Sequence, residues 1–130
     1  MRKGRALVAF ATIVIVLTPM FGQACGARYS SDDSEKIART FVEQEATFRF
    51  DGMPETLKLE STREVAPSVT WEFTFSYQSR HAGYGDRTGQ VLAQVITPHL
   101  ARITVDKGKV TMAVMDERWD MINQKLITNP

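Results

Sequence analysis

The sequence predicts an α+β domain in which one N-terminal amphipathic helix packs on a curved antiparallel sheet of about four strands. Three observations predict it. Apolar residues recur at three- and four-residue spacings from Ile37, large apolar and polar residues alternate strictly from Val69 to Ser79, and a turn signal joins two short strands at Asp106–Lys109. The chain has 130 residues, of which 43% are hydrophobic and 24% charged, which is one domain's worth of ordinary globular composition.

The helix begins at Asp32, an N-cap with Glu35 three residues on, the layout of a capping box. Ile37, Ala38, Phe41, Val42 and Phe48 line one face, opposite Glu35, Lys36, Arg39, Glu43 and Gln44, so the helix is expected to run from about Asp32 to Thr47. Asp51, Gly52 and Pro54 break the chain. After them Leu57, Leu59, Ser61, Arg63 and Val65 alternate with charged and polar neighbours, a half-apolar pattern that suggests an edge strand. From Val69 to Ser79 the alternation is clean: Val69, Trp71, Phe73, Phe75 and Tyr77 share a face that the helix should cover. Gln90–Thr97 fits both a helical stripe and a β-branched strand, and strand is the reading taken. Leu100–Val105 and Val110–Met115 form a hairpin across Asp106, Lys107, Gly108 and Lys109, with Gly108 where a positive φ is needed. Trp119, Ile122 and Leu126 suggest a closing turn of helix or an irregular tail. Trp71 and Trp119 read as core, as do Met112, Met115 and Met121, while His99 after Pro98 reads as a turn residue held by backbone contacts.

Residues 1–24 have the layout of a secretory signal: Arg2, Lys3 and Arg5, an apolar run from Ala6 to Leu17, then Thr18 and Pro19. The run is shorter than the roughly 20 residues of a membrane-crossing helix, and the leading positive charges orient the rest of the chain outward. Cys25, the single cysteine, follows directly, and Ala24 before it resembles the small residue of a lipobox. That resemblance, to bacterial-type or archaeal lipoproteins, implies lipid attachment at Cys25 and an extracytoplasmic, membrane-anchored location. Gly22 and Gln23 depart from its usual residues. Gly22 and Ala24 also suit ordinary signal cleavage, which would leave a secreted or periplasmic protein with a free thiol. The expected organisation is therefore a signal sequence over 1–24, lipid attachment and tether over 25–31, and one domain over 32–127.

Beyond the leader, 13 basic side chains face 15 acidic ones, and no basic stripe with interleaved aromatics is visible, so nucleic acid is not an expected partner. One helix followed by antiparallel strands resembles cystatin-like exported modules in element order, over residues 32 to 120 or so. The segment from Arg80 to His99 is similar to one in small exported archaeal and bacterial proteins of no assigned activity, and that similarity implies export and no mechanism.

The most unusual stretch runs from Ser79 to Gln90, where Gly83, Gly85 and Gly89 separate polar side chains on a loop carried by the clean strand. As a binding site, Arg80, His81 and Arg87 would hold a carboxylate or phosphate, Tyr84 would stack or hydrogen-bond, and Asp86 would orient an arginine. The plainer reading is a hairpin loop whose Asp86 and Arg87 fasten its own backbone. The glycines do not lead from a strand into a helix and no Gly-Lys-Ser/Thr follows, so no nucleotide cofactor is expected. His81, His99 and Asp86 lack the paired spacing of metal ligands, so no metal is expected. A hydrolase would have to use His81 and Asp86, with Ser79 on the same side of the strand as His81. The leading expectation is a non-enzymatic, lipid-anchored binding module that presents the Arg80–Gln90 loop to a protein or a small anionic ligand. The alternatives are that small extracytoplasmic hydrolase and a structural envelope protein with an inert loop.

Overall fold

A computed structural model describes residues 28–128. The expected signal sequence, Cys25 and the first part of the expected tether lie outside the described residues. The architecture is α+β: one main helix on a six-stranded antiparallel sheet, with strands in sequential order from edge to edge. Two strands more than the four expected come from the tail. There Trp119–Asp120 (β5) and Lys125–Leu126 (β6) form a small hairpin where a helical turn or irregular tail was the expectation.

Helix α1, Ser31–Gln44, starts slightly earlier than its periodicity suggests because Ser30 is the better cap: its Oγ accepts from the Asp33 amide at 3.1 Å and donates to the Asp33 carboxylate at 2.8 Å. The expected helix to Thr47 is broken at Glu45. That residue adopts an extended backbone and caps a second short helix, α2 (Ala46–Asp51), accepting from the Thr47 amide at 2.8 Å. The break turns Phe48 onto the sheet, where its ring meets Tyr77 edge-on at 4.9 Å.

Strand β1 (Lys58–Ala66) is the predicted edge. Two irregularities, between Leu59 and Ser61 and between Glu64 and Ala66, break its alternation, so Ser61 and Arg63 lie opposite Thr74 and Glu72 on the outer face. Strand β2 (Thr70–Ser79) buries Phe73, Phe75, Tyr77 and Ser79, and β3 (Thr97–Asp106) buries His99, Ala101, Ile103 and Val105. Strand β4 (Lys109–Met115) adds Ala113 and Met115, and Ala38 and Val42 of α1 close the core from above. The β3–β4 turn has positive φ at both Lys107 and Gly108, the backbone that matches the twist of a two-residue hairpin.

Three expectations are corrected. Gln90–Ile96 forms no strand: β2 has ended at Ser79, so nothing remains for the segment to pair with, and β3 begins only at Thr97. Met112 is exposed, because a shift in the β3–β4 register sets it opposite Thr104 on the outer face, whereas Met115 and Met121 are buried as expected. His99 is not a turn residue but the third residue of β3, buried and opposite Tyr77. No helix among the described residues is long and apolar enough to cross a membrane.

Candidate functional site

The end of β2 is stitched to the end of α2. The Arg80 amide donates to the Asp51 carbonyl at 3.2 Å, the Met53 amide to the Gln78 carbonyl at 2.8 Å, and Gly52 bridges to Ser79. This brings Asp51 under the start of the loop. Its carboxylate, only 6% exposed, receives Arg87 Nη2 at 2.7 Å and meets His81 Nδ1 at 2.8 Å. A carboxylate removed from water needs such partners, and the chain supplies two from a single loop.

Arg87 organises that loop. Its side chain is 3% exposed, and its guanidinium donates to the carbonyls of His81, Ala82, Gly83 and Gly85 in the loop and of Thr47 in α2. The planar donor fork of arginine can serve several acceptors at once, and its face lies 4.6 Å from the Phe50 ring. The Gly85 amide donates to Thr47 Oγ1 at 2.8 Å, and this glycine has φ +72° with the Trp119 ring close to where a Cβ would stand. A loop without regular secondary structure is thus tied to α2 through Gly85 and Arg87.

The residues singled out in the sequence divide in two. Arg87 points inward, and His81 pairs with Asp51. Asp86 is exposed, does not orient Arg87, and instead accepts from the Thr88 amide at 3.0 Å and its hydroxyl at 2.6 Å, which holds its carboxyl below the usual aspartate range. Arg80 is exposed as well. Tyr84 stacks on Trp119 with centroids 5.5 Å apart and donates to Asp116 at 3.1 Å. Burial, followed by the charge of Asp116 and the hydrogen bond to it, raises the Tyr84 phenol above its ordinary range. Beside the loop lies a cleft of about 390 Å³ lined by Gln44, Ala46, Arg49, Phe50, Asp86 and Thr88.

A second polar chain lies below, and sequence reading missed it. Ser79 Oγ is 3.0 Å from His99 Nε2, and His99 Nδ1 is 2.7 Å from Asp116 Oδ2. The spacing is that of a nucleophile, base and orienting acid. Ser79 has one hydroxyl proton and two acceptors within reach, His99 Nε2 and the His81 carbonyl at 2.8 Å. Donation to the carbonyl requires His99 to carry protons on both nitrogens, one to Ser79 and one to Asp116; donation to Nε2 leaves the imidazole neutral and poised as a base. Ser79 has no exposed surface, so a substrate has no path to its hydroxyl while the loop is closed. Burial pushes the Asp116 carboxyl up, but the hydrogen bonds from His99, the Leu100 amide and Tyr84, with the charge of His99, outweigh it and leave the group below its ordinary value of 3.8.

Asp51 and Asp116 carry both networks and gave no sequence signal, because each is spelled as an ordinary breaker residue between elements and acquires its partners only through tertiary folding. Among the described residues no group of three His, Cys, Asp or Glu side chains is placed to hold a metal ion. Compared with known proteins, the chain matches no family model, no curated protein and no solved structure.

Proposed function

We propose that the protein is an extracytoplasmic binding module, anchored to the cell membrane by a lipid on Cys25, that presents the Arg80–Gln90 loop to a protein or a small anionic ligand. One observation carries the binding reading: Arg87 and Asp51 are committed to fixing the loop from within. The outward groups Asp86 and Thr88 are thereby preorganised in the cleft that Arg49 and Phe50 also line, and Arg80 stands exposed at the start of the same loop. Preorganisation lowers the ordering cost of association and is a use for an expensive buried ion pair that ties the loop to the end of α2. With Arg87 turned inward, Arg80 and Arg49 are the cations an anion would meet.

Titration of the purified chain with acetate, inorganic phosphate and an acidic peptide tests this, read by amide chemical shifts. Saturable shifts at Asp86–Thr88 that weaken about tenfold in Arg49→Ala or Arg80→Ala are expected, an ordinary loss for one charged contact. Absence of saturable binding by all three, together with no crosslinked protein partner from a photoreactive group at Thr88, would remove the reading. Anchoring has its own test: labelled lipid incorporates into the native chain and not into Cys25→Ser, whereas a mature protein recovered soluble with a free amine at residue 25 contradicts it.

A second reading, a hydrolase, is favoured by the Ser79–His99–Asp116 spacing and by no feature of the proposed His81–Asp86 pair. It requires the loop to open. A fluorophosphonate probe that labels the native chain but not Ser79→Ala would establish it; no labelling is expected of the closed loop.

A further inference from the structure

The cleft beside the loop carries two opposite charges that do not neutralise one another. It has a volume of about 390 Å³ and is lined by Gln44, Ala46, Arg49, Phe50, Asp86 and Thr88, a size that suits a small organic molecule. Arg49 and Asp86 both line it, yet they do not pair with each other, and among the described residues neither forms an ion pair with any other side chain. Arg49 and Gln44 are exposed, and among the described residues the guanidinium of one and the carboxamide of the other have no hydrogen-bond partner. Asp86 is more firmly placed. Its Oδ1 accepts from both the Thr88 amide at 3.0 Å and the Thr88 hydroxyl at 2.6 Å, which leaves Oδ2 without a partner among the described residues.

Both sides of the cleft belong to one construction. Ala46, Arg49 and Phe50 stand at i, i+3 and i+4 along α2 and so share a side of it, while Asp51 and the Thr47 carbonyl hold Arg87. In the loop Arg87 lies between Asp86 and Thr88 in sequence. The inward arginine therefore sets its two neighbours in the cleft, facing solvent and already fixed.

We propose that this cleft takes a zwitterion of the amino-acid class, a free amino acid or a short peptide, with its carboxylate on Arg49 and its ammonium on Asp86. The inference rests on the binding reading above and narrows the small anionic ligand to one that also carries a cation. Charge makes the selection. A simple anion drawn to Arg49 also meets Asp86, whose carboxyl titrates below the ordinary aspartate range and so stays charged at neutral pH. That like charge opposes an anion, whereas an ammonium group turns it into a partner. Phosphate, with more charge than acetate, is opposed more strongly. A divalent cation finds one carboxylate and a guanidinium in the cleft, and a neutral sugar leaves both charges unused. The Gln44 carboxamide offers a donor to the carboxylate and an acceptor to the ammonium, and Ala46 and Phe50 supply an apolar wall for a side chain.

Titration of the purified chain with L-leucine, leucyl-leucine, N-acetyl-leucine and leucine amide through the millimolar range tests this, read by amide chemical shifts at Asp86–Thr88. The first two carry both charges, and the last two each lack one. Saturable binding of a zwitterion about tenfold tighter than of either single-charge compound is expected, and the tighter of the two zwitterions separates a free amino acid from a peptide. Asp86→Asn weakens the zwitterion about tenfold and spares or strengthens N-acetyl-leucine; Arg49→Gln weakens it about tenfold and spares leucine amide. The asparagine keeps a side-chain oxygen for Thr88, and Arg49 is exposed, so the loop and the fold survive both changes. N-acetyl-leucine or acetate bound as tightly as the zwitterions, or zwitterion binding unchanged in Asp86→Asn, overturns the proposal and leaves the binding reading standing. No saturable shift with either zwitterion overturns it as well, and the binding reading falls with it only where acetate, phosphate, the acidic peptide and the crosslink at Thr88 also fail.

Discussion

Replacing Arg87 by Met keeps the length and apolar stem of the side chain while removing the guanidinium, and its consequences follow from the partners left behind. Breaking a buried ion pair from one side costs about 3–5 kcal/mol, because the remaining charge stays out of water uncompensated. Asp51 retains His81 at 2.8 Å, and the Ala82 and Gly83 carbonyls belong to exposed residues that water can reach, so the lower end applies, about 3 kcal/mol. For a domain of this size that corresponds to a melting temperature lower by about 12–24 °C, out of a total stability of about 5–15 kcal/mol. Urea unfolding followed by tryptophan fluorescence measures it, and the two tryptophans separate local from global effects. Trp119 stacks on Tyr84 in the loop, whereas Trp71 donates to the Tyr29 carbonyl at the far end of the sheet. Adding Asp51→Asn to Arg87→Met should cost less than the sum of the single changes by at least about 1 kcal/mol, since the pair is then removed together. A loss below about 1 kcal/mol for Arg87→Met, within the range of ordinary surface changes, would refute the idea that this residue builds the loop.

Other consequences are as direct. The folded Asp116 carboxyl titrates below its ordinary value of 3.8, so its contribution is complete above that pH and is lost as pH falls through the lower folded value; Asp116→Asn should flatten the stability profile there. Gly85→Ala places a Cβ 3.2 Å from Trp119 Cζ2 at φ +72°, whereas Gly89→Ala at φ +79° meets nothing within 4 Å. Both incur the left-handed strain of about 1–2 kcal/mol, and thermal melts should show Gly85→Ala to be the worse of the two. Tyr84→Phe removes one of the three hydrogen bonds to Asp116, so the Asp116 carboxyl should titrate at higher pH in that variant, as NMR of its side chain would show.

The parts of the fold legible in the sequence were those with local causes. The alternation of β2 and the Lys107–Gly108 turn are written in neighbouring residues, and so is the apolar face of α1. The break at Glu45 was not legible, because the carboxylate that caps α2 there is itself held by Trp119 and Gln124 more than seventy positions away. The strand expected over Gln90–Thr97 was misread up to Ile96 for a related reason: β-propensity describes what a segment can pair with, and here β2 had already ended. At the candidate site, glycine spacing and polar density located the loop, and they could not assign inward and outward roles. Arg87 and Asp86 are adjacent in sequence, yet one is buried against Asp51 and the other stands in solvent. His99 was masked by Pro98, whose position at the start of β3 imitates a turn.

Amide hydrogen exchange at Gly85 tests most directly whether the Arg80–Gln90 loop is a prebuilt surface. This amide lies in a loop with no ladder, and its one partner is Thr47 Oγ1. If the buried arginine locks the segment as described, Gly85 exchanges only through large-scale opening, with protection close to that of Phe75 in the central strand, and loses it in Arg87→Met. Exchange of Gly85 in the native chain at the rate of an unstructured peptide would contradict the account.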